Sequence, residues 1–232
     1  MIGKGKSISH GVAALEYDLA KEINGQAVAT EIARHELYGC TGAEMVQEMK
    51  PYHIDFPNVK NNCLRFEVSP SIEESATFTD ADWAELGNDF MQRMGLANHQ
   101  YIIIRHSGTE SKKEQAHLHI LANRVSLSGE LYRDNWIGKK ATEAANAIAK
   151  ERNFVQSQDI GKVNKAEIKE AMDGVLKKMQ GFDFTKFKEE LGKRGFKVRE
   201  ARASTGKLNG YYVTARSGTE YKASEIGKGY TL

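Results

Sequence analysis

Three histidines carry the chemistry most plainly written in this chain. Within HQYIIIRHSGTESKKEQAHLHILANRV (residues 99–125), an apolar β-rich run at 101–104 reaches Arg105 and His106, and a second begins at His117 after a polar stretch. Two strands joined by a surface loop is the simplest reading. Side chains alternate across a strand, so His117 and His119 share one face while Leu118 and Ile120 take the other. If residues 107–116 form the loop of a hairpin, His106 stands opposite His117 with Cβ atoms ~5 Å apart and His119 lies diagonally beside them. A single strand histidine is ordinarily a packing residue. Three at mutually reachable positions can offer three nitrogens to one divalent ion and leave room for water or a phosphate oxygen.

Such a centre could activate water for hydrolysis, or hold a phosphodiester for attack by a side chain. A tyrosine suits the second course, because a phenolate can displace a deoxyribose oxygen at phosphorus and conserve the bond energy in a phosphotyrosyl ester. A free phenol has a pKa near ~10, so deprotonation needs help from a carboxylate, a bound water or a metal.

The elements that must position these groups are legible in outline. Residues 11–23 carry Val12, Leu15, Leu19 and Ile23 at helical spacing after Ser9 as N-cap, with Tyr17 turned roughly 200° from Leu15 and away from the apolar stripe. A second helical region is predicted over 27–49, broken near Gly39–Gly42, with Thr41 and Glu44 spaced as a capping box. Residues 64–69 read as a strand with Arg65, Glu67 and Ser69 on one face. Residues 79–94 form an amphipathic helix with Thr79 as cap and Gly95 as stop. Helices follow over 138–153, 164–179 and 184–194, and a hairpin of 196–201 with 211–215 closes the chain.

Composition bounds the rest. With 232 residues, 40% apolar and 28% charged, the chain reads as globular, one domain with an appendage. Cys40 and Cys63 are too few and too far apart for a disulfide framework or a cysteine zinc site. No apolar run approaches ~18 residues and the lysine-bearing start lacks a hydrophobic core, so no membrane insertion and a cytoplasmic location are expected. The net charge of +2 hides an asymmetry: residues 1–159 carry 17 Lys+Arg against 22 Asp+Glu, residues 160–232 carry 16 against 9. A basic C-terminal region with interleaved aromatics suits a polyanion.

With these residues in place, the chain resembles the conjugative relaxases, or plasmid mobilisation nucleases, of the His-hydrophobic-His endonuclease superfamily. The resemblance rests on His106 with His117-Leu118-His119 and the trailing ILANRV, on the opening GKGKSISHGVAALEY, on Phe66-Glu67-Val68-Ser69, and on Gly218–Ser224 with Ile226-Gly227 near the end. It implies an α+β fold with a central antiparallel β-sheet, the histidine hairpin near its middle, helices on its back and a groove for single-stranded DNA. Residues 1–160 would be the nuclease core, and 161–232 a helical segment plus basic hairpin completing the same domain. By the same resemblance Tyr17 is the nucleophile, Glu67 or Glu110 the assisting acid, and His106, His117 and His119 the ligands of one divalent ion, Mg, Mn or another transition metal. Lys4, Lys6, Arg124, Lys222, Ser224 and Lys228 would contact DNA.

The implied activity is nicking and rejoining of single-stranded DNA at a plasmid or mobile-element transfer origin through a 5′-phosphotyrosyl intermediate. Accessory relaxosome proteins and the coupling protein of a secretion channel are the implied partners. Rival readings are a replication initiator or single-strand transposase of the same superfamily, a noncatalytic DNA-binding accessory protein, and a metal-dependent hydrolase of small phosphoesters. The last two predict no covalent protein–DNA adduct.

Overall fold

A computed structural model of the protein describes residues 1–108 and 115–231. The chain divides into two compact units, Met1–Ser157 and Gln158–Leu232. The first contains, in order, β1 (Ile2–Ile8), α1 (Gly11–Leu19), β2 (Glu22–Ile23), β3 (Gln26–Ala27), β4 (Ala29–His35), α2 (Gly42–Met49), β5 (Cys63–Ser69), α3 (Ile72–Ser75), α4 (Asp80–Arg93), β6 (His99–His106), β7 (His117–Ser126) and α5 (Ile137–Glu151). The chain continues with α6 (Ser157–Leu176), α7 (Phe184–Lys193), β8 (Lys197–Arg202), β9 (Leu208–Thr214), β10 (Glu220–Lys222) and α8 (Ala223–Ile226).

The first unit is built on a five-stranded sheet in the order β1-β5-β7-β6-β4, antiparallel throughout. Strands β6 and β7 sit inside this sheet and are buried along nearly their whole length, which is why both read as near-continuous apolar runs. Phe66, Ile103, Leu118 and Ile120 pack on one face against Trp83, Leu86 and Phe90 of α4 and Ala141, Ala145 and Ile148 of α5. On the other face Ile102, Ile104 and Leu121 meet Leu15 of α1 and Met45, Val46 and Met49 of α2. Helices therefore lie on both faces, and α1 and α2 share the histidine face with the site.

Local chemistry explains the element ends. The Thr41 hydroxyl accepts from the Glu44 amide while Glu44 accepts from the Thr41 amide, the reciprocal capping box predicted from spacing. Thr79 and Asp82 do the same at α4. Gly95, at φ 72°, supplies the left-handed turn that ends this helix.

Three expectations are corrected. Residues 2–8, not foreseen as a strand, form the edge strand β1 paired with β5 in full register from Ile2↔Ser69 to Ile8↔Cys63. Helix α1 stops at Leu19 and is preceded by His10 rather than Ser9; Asn24 and Gly25, at φ 53° and 74°, then turn a two-residue hairpin between β2 and β3. Residues 29–35, predicted helical, are a strand, because the edge of β6 recruits them through a ladder from Ala29↔His106 to His35↔Tyr101 with a bulge between Glu31 and Ala33. Tertiary pairing overrides local propensity there.

The second unit packs α6 and α7 on one face of the sheet β10-β9-β8, with Ile168, Met172, Phe187, Leu191, Tyr211 and Val213 in its core. The third strand, β10, joins the expected hairpin through Glu220↔Thr214 and Lys222↔Tyr212. Among the described residues no helix is long and apolar enough to cross a membrane.

Candidate metal centre and active site

His106 and His117 are paired across β6 and β7, and His119 follows two positions along β7 on the same face. The three rings lie 4.5–5.3 Å apart between centroids. One nitrogen from each falls within 4.8 Å of the others. Nε2 of His117 lies 3.1 Å from Nε2 of His119. Two nitrogens bound to one ion at ~2.1 Å stand roughly 3.0–3.4 Å apart in octahedral or tetrahedral geometry, so this spacing fits a shared cation.

Hydrogen bonds set the tautomers. A carbonyl only accepts, so His106 Nε2 donates to the Asp18 carbonyl at 2.7 Å and His117 Nδ1 donates to the Gln115 carbonyl at 3.1 Å. Lone pairs remain on His106 Nδ1 and His117 Nε2. Burial lowers the pKa of His106, and burial together with His106, His117, Arg65 and Lys4 pushes His119 down to about 2. Imidazoles held neutral are ready to ligate.

A carboxylate beside the triad is one the sequence reading missed. Asp18, almost wholly buried at the end of α1, accepts from Arg65 Nε at 3.0 Å and from a second Arg65 nitrogen at 2.5 Å, and its Oδ1 lies 3.8 Å from His119 Nδ1. Burial raises the Asp18 carboxyl pKa, opposed by the Arg65 guanidinium. The signal was an acid directly after Tyr17, on the turn of a helix whose neighbours are apolar. Arg65 also reaches within 3.4 Å of His119 Nδ1, so one ion pair braces both the helix and a ring of the triad.

Tyr17 stands half exposed on α1, and its hydroxyl accepts a hydrogen bond from Lys21 Nζ at 2.6 Å rather than meeting the triad. It is nonetheless the residue preceding Asp18, so its Cα is ~3.8 Å along the chain from a residue bonded to His106. Glu67 is paired in register with His119 across β5 and β7, and its carboxylate takes Lys4 Nζ at 2.9 Å. It makes no contact with Tyr17 among the described hydrogen bonds. Glu110 lies outside the described residues.

The expected DNA contacts scatter more widely. Lys4 and Lys6 of β1 line, with Arg65, Glu67 and His119, a cavity of about 210 Å³ beside the triad. Arg124 does not offer its guanidinium to solvent: its nitrogens go to Tyr132 O, Asn61 O and Asp134 Oδ1 at 3.2, 2.9 and 2.7 Å, clamping β7 to two loops. Lys222, Ser224 and Lys228 belong to the second unit. Lys222 sits in register with Tyr212, which faces Arg199 on its other side, giving an Arg–Tyr–Lys row across the outer sheet face. Ser224 lines a cavity of about 320 Å³ next to that row, and Lys228 lies in the short turn after α8.

Among solved structures, two of the conjugative relaxase TrwC in complex with oriT DNA are similar to this chain. The metal-bound form shows 11% identity and a TM-score of 0.37, the metal-free form 10% and 0.40; each match covers 89% of this chain and 74% of that one. No curated protein matches. The model of the relaxase family described as MobA/VirD2-like, nuclease domain, matches residues 17–154, more than half of the chain, a span that takes in Tyr17, Asp18, Arg65 and all three histidines. The chain thus belongs to the MobA/VirD2-like relaxases and carries their nuclease domain.

Proposed function

We propose that this protein nicks one strand of DNA at the transfer origin of a plasmid or other mobile element and later rejoins it, with Tyr17 as nucleophile. The observation that carries the reading is the link from the triad through Asp18 to Tyr17: the helix bearing the phenol ends on a hydrogen bond to a metal-ligand candidate. His106, His117 and His119 would hold one divalent ion, Mg or Mn, which when bound polarises a phosphate oxygen as a Lewis acid.

The chain's own groups do the rest. Lys4 and Lys6, on the open side of the triad, attract the phosphodiester backbone. Oη of Tyr17 attacks phosphorus as its proton passes to an assisting carboxylate, the bond from phosphorus to the 3′ oxygen breaks, and that oxygen takes a proton from solvent to leave as a free 3′-hydroxyl. The 5′-phosphotyrosyl ester left behind keeps the energy of the broken bond, so the reverse attack by a 3′-hydroxyl restores the strand. Lys21, hydrogen-bonded to Oη, sits where negative charge develops when the phenolic proton departs. Glu67, one strand from His119, is the candidate for the carboxylate that assists Tyr17.

Residues 161–232, with Lys222, Ser224 and Lys228, extend the DNA contacts of the same nuclease. Relaxosome accessory proteins and a coupling protein are its partners in transfer. The test is incubation with single-stranded oligonucleotides from the transfer origin of its own element and Mn²⁺ or Mg²⁺, followed by denaturing electrophoresis. A metal-dependent band of protein joined to DNA, absent in Tyr17→Phe, is expected; free cleavage products without an adduct would instead identify a hydrolase.

A further inference from the structure

Trp136 is 82% exposed, the highest of the large apolar side chains on the described surface, whereas Trp83 is buried at 2%. Its backbone is left-handed, φ 57° and ψ 28°, a region bulky residues rarely occupy. Such a conformation persists where neighbours over-determine it. Here Asp134 does so: its carboxylate accepts from Ser7 of β1 at 2.5 Å and from Arg124 of β7 at 2.7 Å, and its carbonyl accepts from the Ile137 amide at 3.1 Å. The Trp136 carbonyl then takes the Lys140 amide at 3.0 Å. The turn is pinned on both sides and the indole is left outside.

Two lysines and one acid share the indole's cavity, and Lys139 pairs with that acid, Glu143, at 3.7 Å. Lys139 and Arg133 are exposed, and Lys140 Nζ reaches the Arg133 carbonyl at 2.7 Å while lying 5.0 Å from the Tyr132 ring. Trp136, Lys139, Lys140 and Glu143 line a cavity of about 310 Å³. Helix α5, which this turn begins, is docked on β1 through Gly3 and Thr142, and β1 carries Lys4 and Lys6 on the side of the triad. A protein partner would call for a contiguous apolar patch. A solitary exposed ring beside Lys139 and Lys140 suits a polyanion whose bases can stack.

We propose that Trp136 is a stacking platform for a base of single-stranded DNA, with Lys139 and Arg133 meeting the flanking phosphates. The proposal rests on the nicking reading for the identity of its ligand, but it needs neither metal nor Tyr17 to be measured. The chain holds two tryptophans and one is buried, so fluorescence quenched by added DNA reports Trp136.

The whole protein is titrated with an oligothymidylate of about 20 nucleotides and with its duplex, following indole emission and, in parallel, the anisotropy of labelled oligonucleotide. The single strand should quench emission and the duplex should not. Trp136→Ala should weaken single-strand binding about five- to a hundredfold, and Trp136→Phe should keep most of the affinity. Emission unmoved by the single strand, quenching equal with duplex, or unchanged affinity in Trp136→Ala overturns the proposal. The two readings fail separately: adduct without quenching removes the platform and keeps the nuclease, whereas quenching and stacking without any adduct removes the nuclease.

Discussion

The carbonyl of Asp18 accepts a hydrogen bond from His106 while its carboxylate takes two from Arg65, so a single residue fastens α1 to the histidine face at two points. The carboxylate is nearly fully buried and the arginine side chain is 20% exposed, which places the pair among those whose removal leaves an uncompensated charge. Asp18→Ala is expected to cost about 3 kcal/mol in urea unfolding. Because Arg65 and Asp18 also flank His119, the same variant should weaken Mn²⁺ binding roughly tenfold in calorimetric titration. Normal stability with normal metal affinity would deny the brace.

Lys21, just past the end of α1, touches the oxygen proposed to attack phosphorus, and Lys21→Ala removes that contact. Adduct formation on a transfer-origin oligonucleotide should slow about a hundredfold, with oligonucleotide binding little changed. Lys21→Arg, which keeps a cationic donor, should recover much of the rate. Equal losses of rate and affinity would assign Lys21 to DNA binding alone.

The centre was legible because a strand has period two: His117, His119 and the facing His106 needed only the hairpin to converge, and the hairpin was marked by two apolar runs with a polar stretch between them. The interior strands were legible for the same reason, being apolar on both faces. Strand β1 was not, since Gly3, Lys4, Gly5 and Lys6 look like a flexible basic tail until α5 is known to press on them. The strand at 29–35 was hidden because its pattern is that of a helix and only the unpaired edge of β6 decides otherwise. Asp18 was passed over since its role depends on Arg65, 47 positions away. Trp136 had no periodic partner, and its exposure follows from a turn whose anchors, Ser7 and Arg124, are distant in sequence.

His119 and His106 give the metal-free fold a pH dependence. His119 is held at about 2 in the folded protein against an ordinary 6.5, so between these values the unfolded chain binds a proton the native state refuses. Stability from this group is complete well above 6.5 and declines as pH falls through and below that value, by an amount on the order of 1 kcal/mol per pH unit. His106, also lowered by burial, acts with the same sign. Urea midpoints of the metal-free protein should therefore fall steadily from pH 7 towards pH 5, and His119→Gln should flatten the slope. A flat profile in the native protein would mean the rings are solvated rather than packed.

The last expectation concerns the seam that carries both Lys4 and the Trp136 turn. A Cβ built on Gly3 would collide with the Ala141 carbonyl oxygen and lie 2.6 Å from the Ala145 Cβ, both on α5, so even one methyl forces strand and helix apart. Neither contact is the tip of a flexible side chain that could swing away. Gly3→Ala is expected to destabilise the protein by about 1–3 kcal/mol, read as a lowered urea midpoint with an unchanged slope. Gly129→Ala is the reference for a different mechanism: no atom lies within 4 Å of its added Cβ, and its φ of 84° makes any loss conformational rather than steric. The two separate in their partners, because trimming Ala145 to glycine should restore part of the stability of Gly3→Ala and none of that of Gly129→Ala. Failure of that rescue would show that β1 and α5 can part without cost, and with it would go the rigid link between the lysines beside the triad and the tryptophan at the head of the helix.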